Sequence, residues 1–197
     1  MRWLALGLLA AILGAVWIQL WLPRMAHAAF SSGKWKRAMR YYRLIGALAF
    51  RPRRKRSAVL SRGACAVAAG EHEQAAMLLA ALDGTQLETV EQAVLLNNRA
   101  CLSLDTGVPA ADALALVDQA IELRPDVPAL QHTRARALLA VGRIDDAIAV
   151  LDGMRAAGEL APWLEGERCR ELATAWESKG HAEYAAEYRA RATVVAR

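Results

Sequence analysis

PALQHTRARALLAVGRIDDAIAVLDGM, residues Pro128–Met154, reads as two helices joined by a turn. Leu130, Thr133, Ala137, Leu138 and Val141 recur at helical spacing and define one apolar face. After Gly142 the pattern restarts, with Ile144, Ala147, Ile148, Leu151 and Met154 on a second face. Glycine at the break tolerates the left-handed backbone that ends a helix, and Pro128 suits a helix start. One such hairpin cannot bury both of its faces, so neighbours must stack on it.

The same punctuation recurs outward from this hairpin. Gly33, Gly70, Gly107, Gly142 and Gly180 lie 37, 37, 35 and 38 residues apart. Seven residues before each comes a small residue: Ala26, Gly63, Ala100, Ala135 and Ala173. Five residues after four of them comes an alanine, at 38, 75, 147 and 185; the third unit takes six, to Ala113, with Pro109 in its turn. Ile45, Leu82, Ala120, Met154 and Ala192 follow seven residues later. Small side chains let paired helices approach closely, and a period of this size marks stacked supersecondary units.

These units resemble tetratricopeptide repeats. The third, LNNRACLSLDTG then ADALALVDQAIELRP, matches the pattern at Ala113, Ala120 and Pro125. The first, GKWKRAMRYYRLIGALAFRP, matches at Ala38 and Tyr42. The fifth, ELATAWESKG then AEYAAEYRARA, matches at Ala173, Trp176, Ala185 and Ala192. The resemblance covers about residues 24–194. It departs from the family in lacking the opening helix-A tryptophan and in exceeding the usual repeat of about 34 residues. It implies an all-α fold, an α-solenoid of about five hairpins, whose helix-A side chains line a groove for a partner protein or peptide. By that resemblance the groove positions are Asn97, Cys101, His132, Arg136 and Arg170. The four polar ones would offer donors to a carboxylate or an acidic peptide. The lysine and second asparagine of the family's carboxylate clamp are missing from their expected places.

Ahead of the repeats, Trp3–Leu22 reads WLALGLLAAILGAVWIQLWL: 20 residues, no charge, one amide at Gln19. At about 1.5 Å per residue this is long enough for the hydrocarbon of a bilayer. Trp3, Trp17 and Trp21 suit its two interfaces. The expected organisation is therefore a transmembrane signal-anchor over 1–23, a first hairpin with a basic juxtamembrane segment over 24–56, and further repeats over 57–197. Gly7, Ala10, Ala11, Gly14 and Ala15, with Gln19, suit packing against another membrane helix. The competing reading is a cleaved signal peptide, since Ala26-His27-Ala28 has the form of a cleavage site. The long apolar run, Arg24, and the overlap of Met25–Phe30 with the first helix A favour an uncleaved anchor.

Charge is divided sharply. Residues 1–56 hold 12 Lys or Arg and no Asp or Glu, while the remainder holds 13 basic and 20 acidic residues. Basic residues flanking a span stay on the cytoplasmic side, which predicts an outer N-terminus and a cytoplasmic repeat domain. Lys34, Lys36, Arg37, Arg40, Arg51, Arg53, Arg54, Lys55 and Arg56 are then candidates to contact anionic lipid headgroups. They would alternatively serve only to set topology. Nucleic acid is not expected, because no binding-fold signature accompanies the basic residues. RPRRKR, 51–56, reads as the loop into the second unit, and Thr89 with Gln92 as a capping box.

No phosphate-binding loop, dinucleotide fingerprint, HExxH or CxxC occurs. The lone acid–histidine cluster, Glu71-His72-Glu73, occupies a solvated helix start where acids complement the dipole. Cys65, Cys101 and Cys169 are odd in number and far apart, as free apolar thiols would be. The sequence thus predicts neither enzyme, metal nor cofactor. It predicts a membrane-anchored scaffold or adaptor, or a subunit of a membrane complex; the alternative is an exported envelope-assembly or chaperone-like factor of the same fold.

Overall fold

The computed structural model describes residues 2–195. Within the first helix, it describes the side chains of Trp3, Gly7, Gly14, Val16 and residues from 18 onward. Among the described residues there are ten α-helices and no strand. They are α1 (Arg2–Ser31), α2 (Trp35–Ala47), α3 (Pro52–Ala68), α4 (His72–Ala80) and α5 (Thr89–Thr106). Then come α6 (Ala110–Leu123), α7 (Pro128–Ala140), α8 (Ile144–Ala156), α9 (Pro162–Ser178) and α10 (Ala182–Val195). The chain divides into two compact units, 1–82 with α1–α4 and 83–197 with α5–α10.

Each of the five spaced glycines ends a helix in the same way. Its backbone is left-handed, with φ between 69° and 80°. The next residue's N–H then donates to the carbonyl five positions back: Lys34 to Ala29, Glu71 to Ala66, Val108 to Ser103, Arg143 to Leu138 and His181 to Trp176, at 2.9–3.2 Å. This closure satisfies a carbonyl that the helix leaves unpaired. The small residues on either side pack the hairpin seams: Ala26, Ala38, Ala75, Ala100, Ala113, Ala135, Ala147 and Ala185 are fully buried. At Gly63 an added Cβ would lie 2.7 Å from Leu79 Cδ2, so a larger residue there would force the buried Leu79 side chain to shift.

In the first unit, α1 packs on α2, α2 on α3 and α3 on α4. α1 continues without a break through Pro23 and through Ala28–Ala29, and Ala26 and Ala29 are buried. Among the described residues no helix is long and apolar enough to cross a membrane. The span expected over Trp3–Leu22 draws no support from them, and most of its side chains lie outside the described residues. RPRRKR is not a loop. Arg51 precedes α3 and Pro52 opens it, so the remaining basic residues form its first turns. Proline's fixed φ and missing N–H suit that first helical position.

In the second unit, each helix packs on the next, and α7 also touches α5 and α9. Helices α5, α7 and α9 therefore form one layer, with α6, α8 and α10 as their hairpin partners. Two apolar clusters fill the seams, one around Val117, Leu130 and Ala137, the other around Leu138, Leu151 and Leu172. Burying each such leucine contributes about 1.5–3 kcal/mol. The cap of α5 sits one residue earlier than expected: the Glu88 N–H donates to Glu91 Oε2 at 3.1 Å, so Glu88 and Glu91, not Thr89 and Gln92, form the box.

One polar network crosses the α8–α9 seam. Arg168 is 2% exposed. Its Nε and Nη2 donate to the two Glu165 oxygens at 2.7 and 2.8 Å, and its Nη1 donates to the Leu151 carbonyl at 3.2 Å. Hydrogen bonding from Arg168 holds the Glu165 carboxyl below the usual carboxylate range.

Candidate functional site

The expected groove residues fall on the α5–α7–α9 layer of the second unit. Asn97, Cys101 and Asp105 follow one another at four-residue spacing on α5, His132 and Arg136 on α7, and Glu167 and Glu171 on α9, beside Arg170. Side chains four apart share a helix face, so each helix contributes one short stripe. Neighbouring stripes meet. Arg136 Nη2 donates to Asp105 Oδ1 at 2.9 Å, and Arg136 Nε lies 3.6 Å from Glu171 Oε1. One guanidinium thus bridges α5, α7 and α9. The Thr133 hydroxyl donates to the Ala129 carbonyl at 3.2 Å, and its oxygen lies 3.5 Å from Cys101 Sγ.

The electrostatics differ from the sequence expectation. Arg170 donates to both Glu167 oxygens, at 2.5 and 3.2 Å. Both arginines expected to receive an acidic ligand are therefore engaged by the chain's own carboxylates. Asp105, Glu167 and Glu171 outnumber Arg136 and Arg170, so the face is not a cationic cradle. Burial raises the Glu171 pKa, opposed by the Arg136 charge. Burial, reinforced by Arg136, lowers that of His132 to about 4, which leaves the imidazole neutral at pH 7. Burial also raises the Cys101 thiol pKa, which keeps it protonated and unreactive.

Two buried atoms on this face have no hydrogen-bond partner among the described residues: Asn97 Oδ1 and His132 Nε2. Most buried polar atoms in proteins are satisfied, and leaving one unpaired costs about 1–3 kcal/mol. Sequence reasoning found both residues but missed Asp105, Glu167 and Glu171. Asp105 lies four residues after Cys101, and Glu167 and Glu171 lie three before and one after Arg170, which was the available signal.

In the first unit the basic residues cluster on α2 and α3. Lys34 precedes α2, whose first turns hold Lys36, Arg37 and Arg40; Arg51 precedes α3, whose first turns hold Arg53, Arg54, Lys55 and Arg56. All but Arg56 are exposed. Lys36 lies 3.6 Å from Glu71, and Arg37 donates to the Tyr41 hydroxyl at 3.0 Å. Neither helix carries an acid in its first turn. Cations at a helix N-terminus oppose the macrodipole, at about 0.3–1 kcal/mol each. The two helix starts therefore concentrate positive potential.

Hairpins closed by repeated glycine turns, with α5, α7 and α9 forming one layer in the second unit, define a helical-repeat fold. Residues 110–162 match the tetratricopeptide repeat family. The fold is similar to that of a tetratricopeptide repeat protein from Parabacteroides merdae. That likeness has a TM-score of 0.61 and 15% identity, over 88% of this chain and 64% of the other, so this chain spans less than two thirds of its length. It is also similar to nearly identical TPR-like repeats from Podosopora anserina, with a TM-score of 0.56 and 18% identity over 88% and 92% of the two chains. No curated protein matches the sequence. The fold is a scaffold suited to protein interaction.

Proposed function

We propose that this protein is a membrane-anchored adaptor that binds an extended polypeptide segment on its α5–α7–α9 face. The observation that carries this reading is the pair of unpartnered buried atoms, Asn97 Oδ1 and His132 Nε2, on the layer that a repeat scaffold uses for recognition. A backbone N–H of an incoming segment would satisfy the Asn97 oxygen. Because Arg136 and Arg170 are already neutralised, an acidic segment would first displace Asp105, Glu171 or Glu167. Recognition then depends on shape and hydrogen bonding more than on net charge.

The apolar run Trp3–Leu22 supports anchoring, and the basic excess after it supports a cytoplasmic repeat domain with its N-terminus outside. The basic cluster would orient the first unit against anionic headgroups. The exported alternative requires cleavage after Ala28, inside α1 and between buried Ala26 and Ala29. That cut would remove the first helix of the first hairpin.

A photo-crosslinking residue placed at Arg170, exposed on α9 of the same face, in the full chain in native membranes tests the reading. It should yield a discrete adduct to one polypeptide, which an additional Asn97→Ala change weakens. An equally placed residue at Ala149, exposed on α8, should not give it. Identical adduct patterns from the two faces would remove the groove assignment.

A further inference from the structure

The first unit contains two overlapping recesses, one mainly apolar and one mainly polar. The larger is a cavity of about 360 Å³ enclosed by α1, α2 and α3, with Ile18, Pro23, Ile45, Leu48 and Phe50 among its walls. The smaller, of about 220 Å³, is lined by Gln19, Leu48, Phe50, Arg51 and Arg54. Gln19, Leu48, Phe50 and Arg54 are common to both, so the two recesses are continuous. Arg54 Nη1 donates to Gln19 Oε1 at 2.9 Å, which fixes the guanidinium at the boundary. Phe50 is 97% exposed at the mouth, and Trp21, Leu20, Leu44 and Leu48 are exposed in the same unit. No acidic residue occurs anywhere in residues 1–56, so no carboxylate of that segment neutralises the arginines. The α5–α7–α9 face is the opposite case, where each arginine has its own acid.

We infer that these recesses hold one anionic phospholipid of the surrounding leaflet, its phosphate on Arg51 and Arg54 and one acyl chain in the Ile18–Leu48–Phe50 cavity. A polar pocket beside an apolar one matches an amphiphile, and the larger volume lies in the range of small-ligand sites. Arginine's planar fork suits the phosphate. Position agrees as well. Ile18–Pro23 are the last residues of the expected span, about 22–30 Å along α1 from Trp3, where headgroups would lie. The inference rests on the membrane-anchor reading and deepens it from general headgroup attraction to a defined lipid site.

Native mass spectrometry of the full chain in mild detergent, with equimolar dioleoyl phosphatidylglycerol and phosphatidylcholine, tests it. One phosphatidylglycerol should remain bound, in about 30-fold preference, since two arginines each gain about 1 kcal/mol beside a headgroup whose phosphate charge no choline ammonium cancels. The double change Arg51→Gln and Arg54→Gln should remove the preference. Ser57→Trp, at the cavity wall, should lower retention of both lipids while helicity stays unchanged. Excess inorganic phosphate should not displace the lipid; if it does, the site is one for free anions and the inference fails. Equal retention of the two lipids, or a preference that survives the double change, also overturns it. Flotation with vesicles of phosphatidylcholine alone reports the anchor separately. A chain that floats but shows no preference defeats the lipid site only. A chain that fails to float defeats the anchor.

Discussion

Replacing Arg168 by methionine should uncouple the last hairpin from the rest of the second unit. Methionine fills much of the space of the arginine stem but supplies no donor. Glu165, whose side chain is only 20% exposed, would lose both charge-assisted hydrogen bonds, and the Leu151 carbonyl would lose its contact across the seam. Breaking a buried pair by removing one partner costs about 3–5 kcal/mol, because the remaining charge is left uncompensated. Glu165 keeps some water, so the lower end, about 3 kcal/mol, is expected. Urea unfolding followed by circular dichroism reads this directly, provided the slope is unchanged. Repeat arrays lose neighbours locally, so amide exchange in α9 and α10 should accelerate about 100-fold, with α5 and α6 less affected. The double variant Arg168→Met with Glu165→Leu should recover most of the loss, since a well-packed apolar replacement of an ion pair is near neutral. The acid limb provides a further check. The Glu165 pKa is lowered by folding, so its contribution is present above its unfolded pKa and is lost as pH falls through the folded one. That slope should be shallower in Arg168→Met. A loss below about 1 kcal/mol, or no recovery in the double variant, would refute the view that this network ties the seam.

Three further outcomes are expected. Gly63→Val should cost about 2 kcal/mol by overpacking against Leu79, measured as a shift in the denaturation midpoint. The lowered His132 pKa means that the folded state resists protonation. Stability should therefore fall as pH drops from about 6.5 towards 4, and His132→Gln should flatten that part of the curve. In sealed vesicles of known orientation, protease added to the cytoplasmic face should digest the repeat domain; protection there would reverse the proposed topology.

The hairpin pattern was legible because it is local. Alanine at fixed offsets from glycine records both the close seam and the left-handed turn, and the buried alanines fall where the spacing puts them. Two errors have local causes too. Five basic residues suggest a loop because they oppose a helix dipole, yet Pro52 was a start signal in the same stretch. Glu88-Thr89-Val90-Glu91-Gln92 permits a capping box in two adjacent frames, and the structure takes the Glu88–Glu91 one. The candidate face was half legible. The stripes on α5, α7 and α9 follow from four-residue spacing within each helix. The capture of Arg136 by Asp105 and Glu171 depends on how separate helices abut, which spacing along one chain does not encode.

The unbroken run of α1 from Arg2 to Ser31 has a mechanical corollary. Its outer stretch and the opening member of the first hairpin belong to one continuous helix, interrupted in its hydrogen-bond ladder at Pro23, which supplies no N–H. If that helix is seated in lipid, tilting of its outer stretch is passed through Pro23 to the part that packs on α2. Bilayer thickness would then steer the first unit.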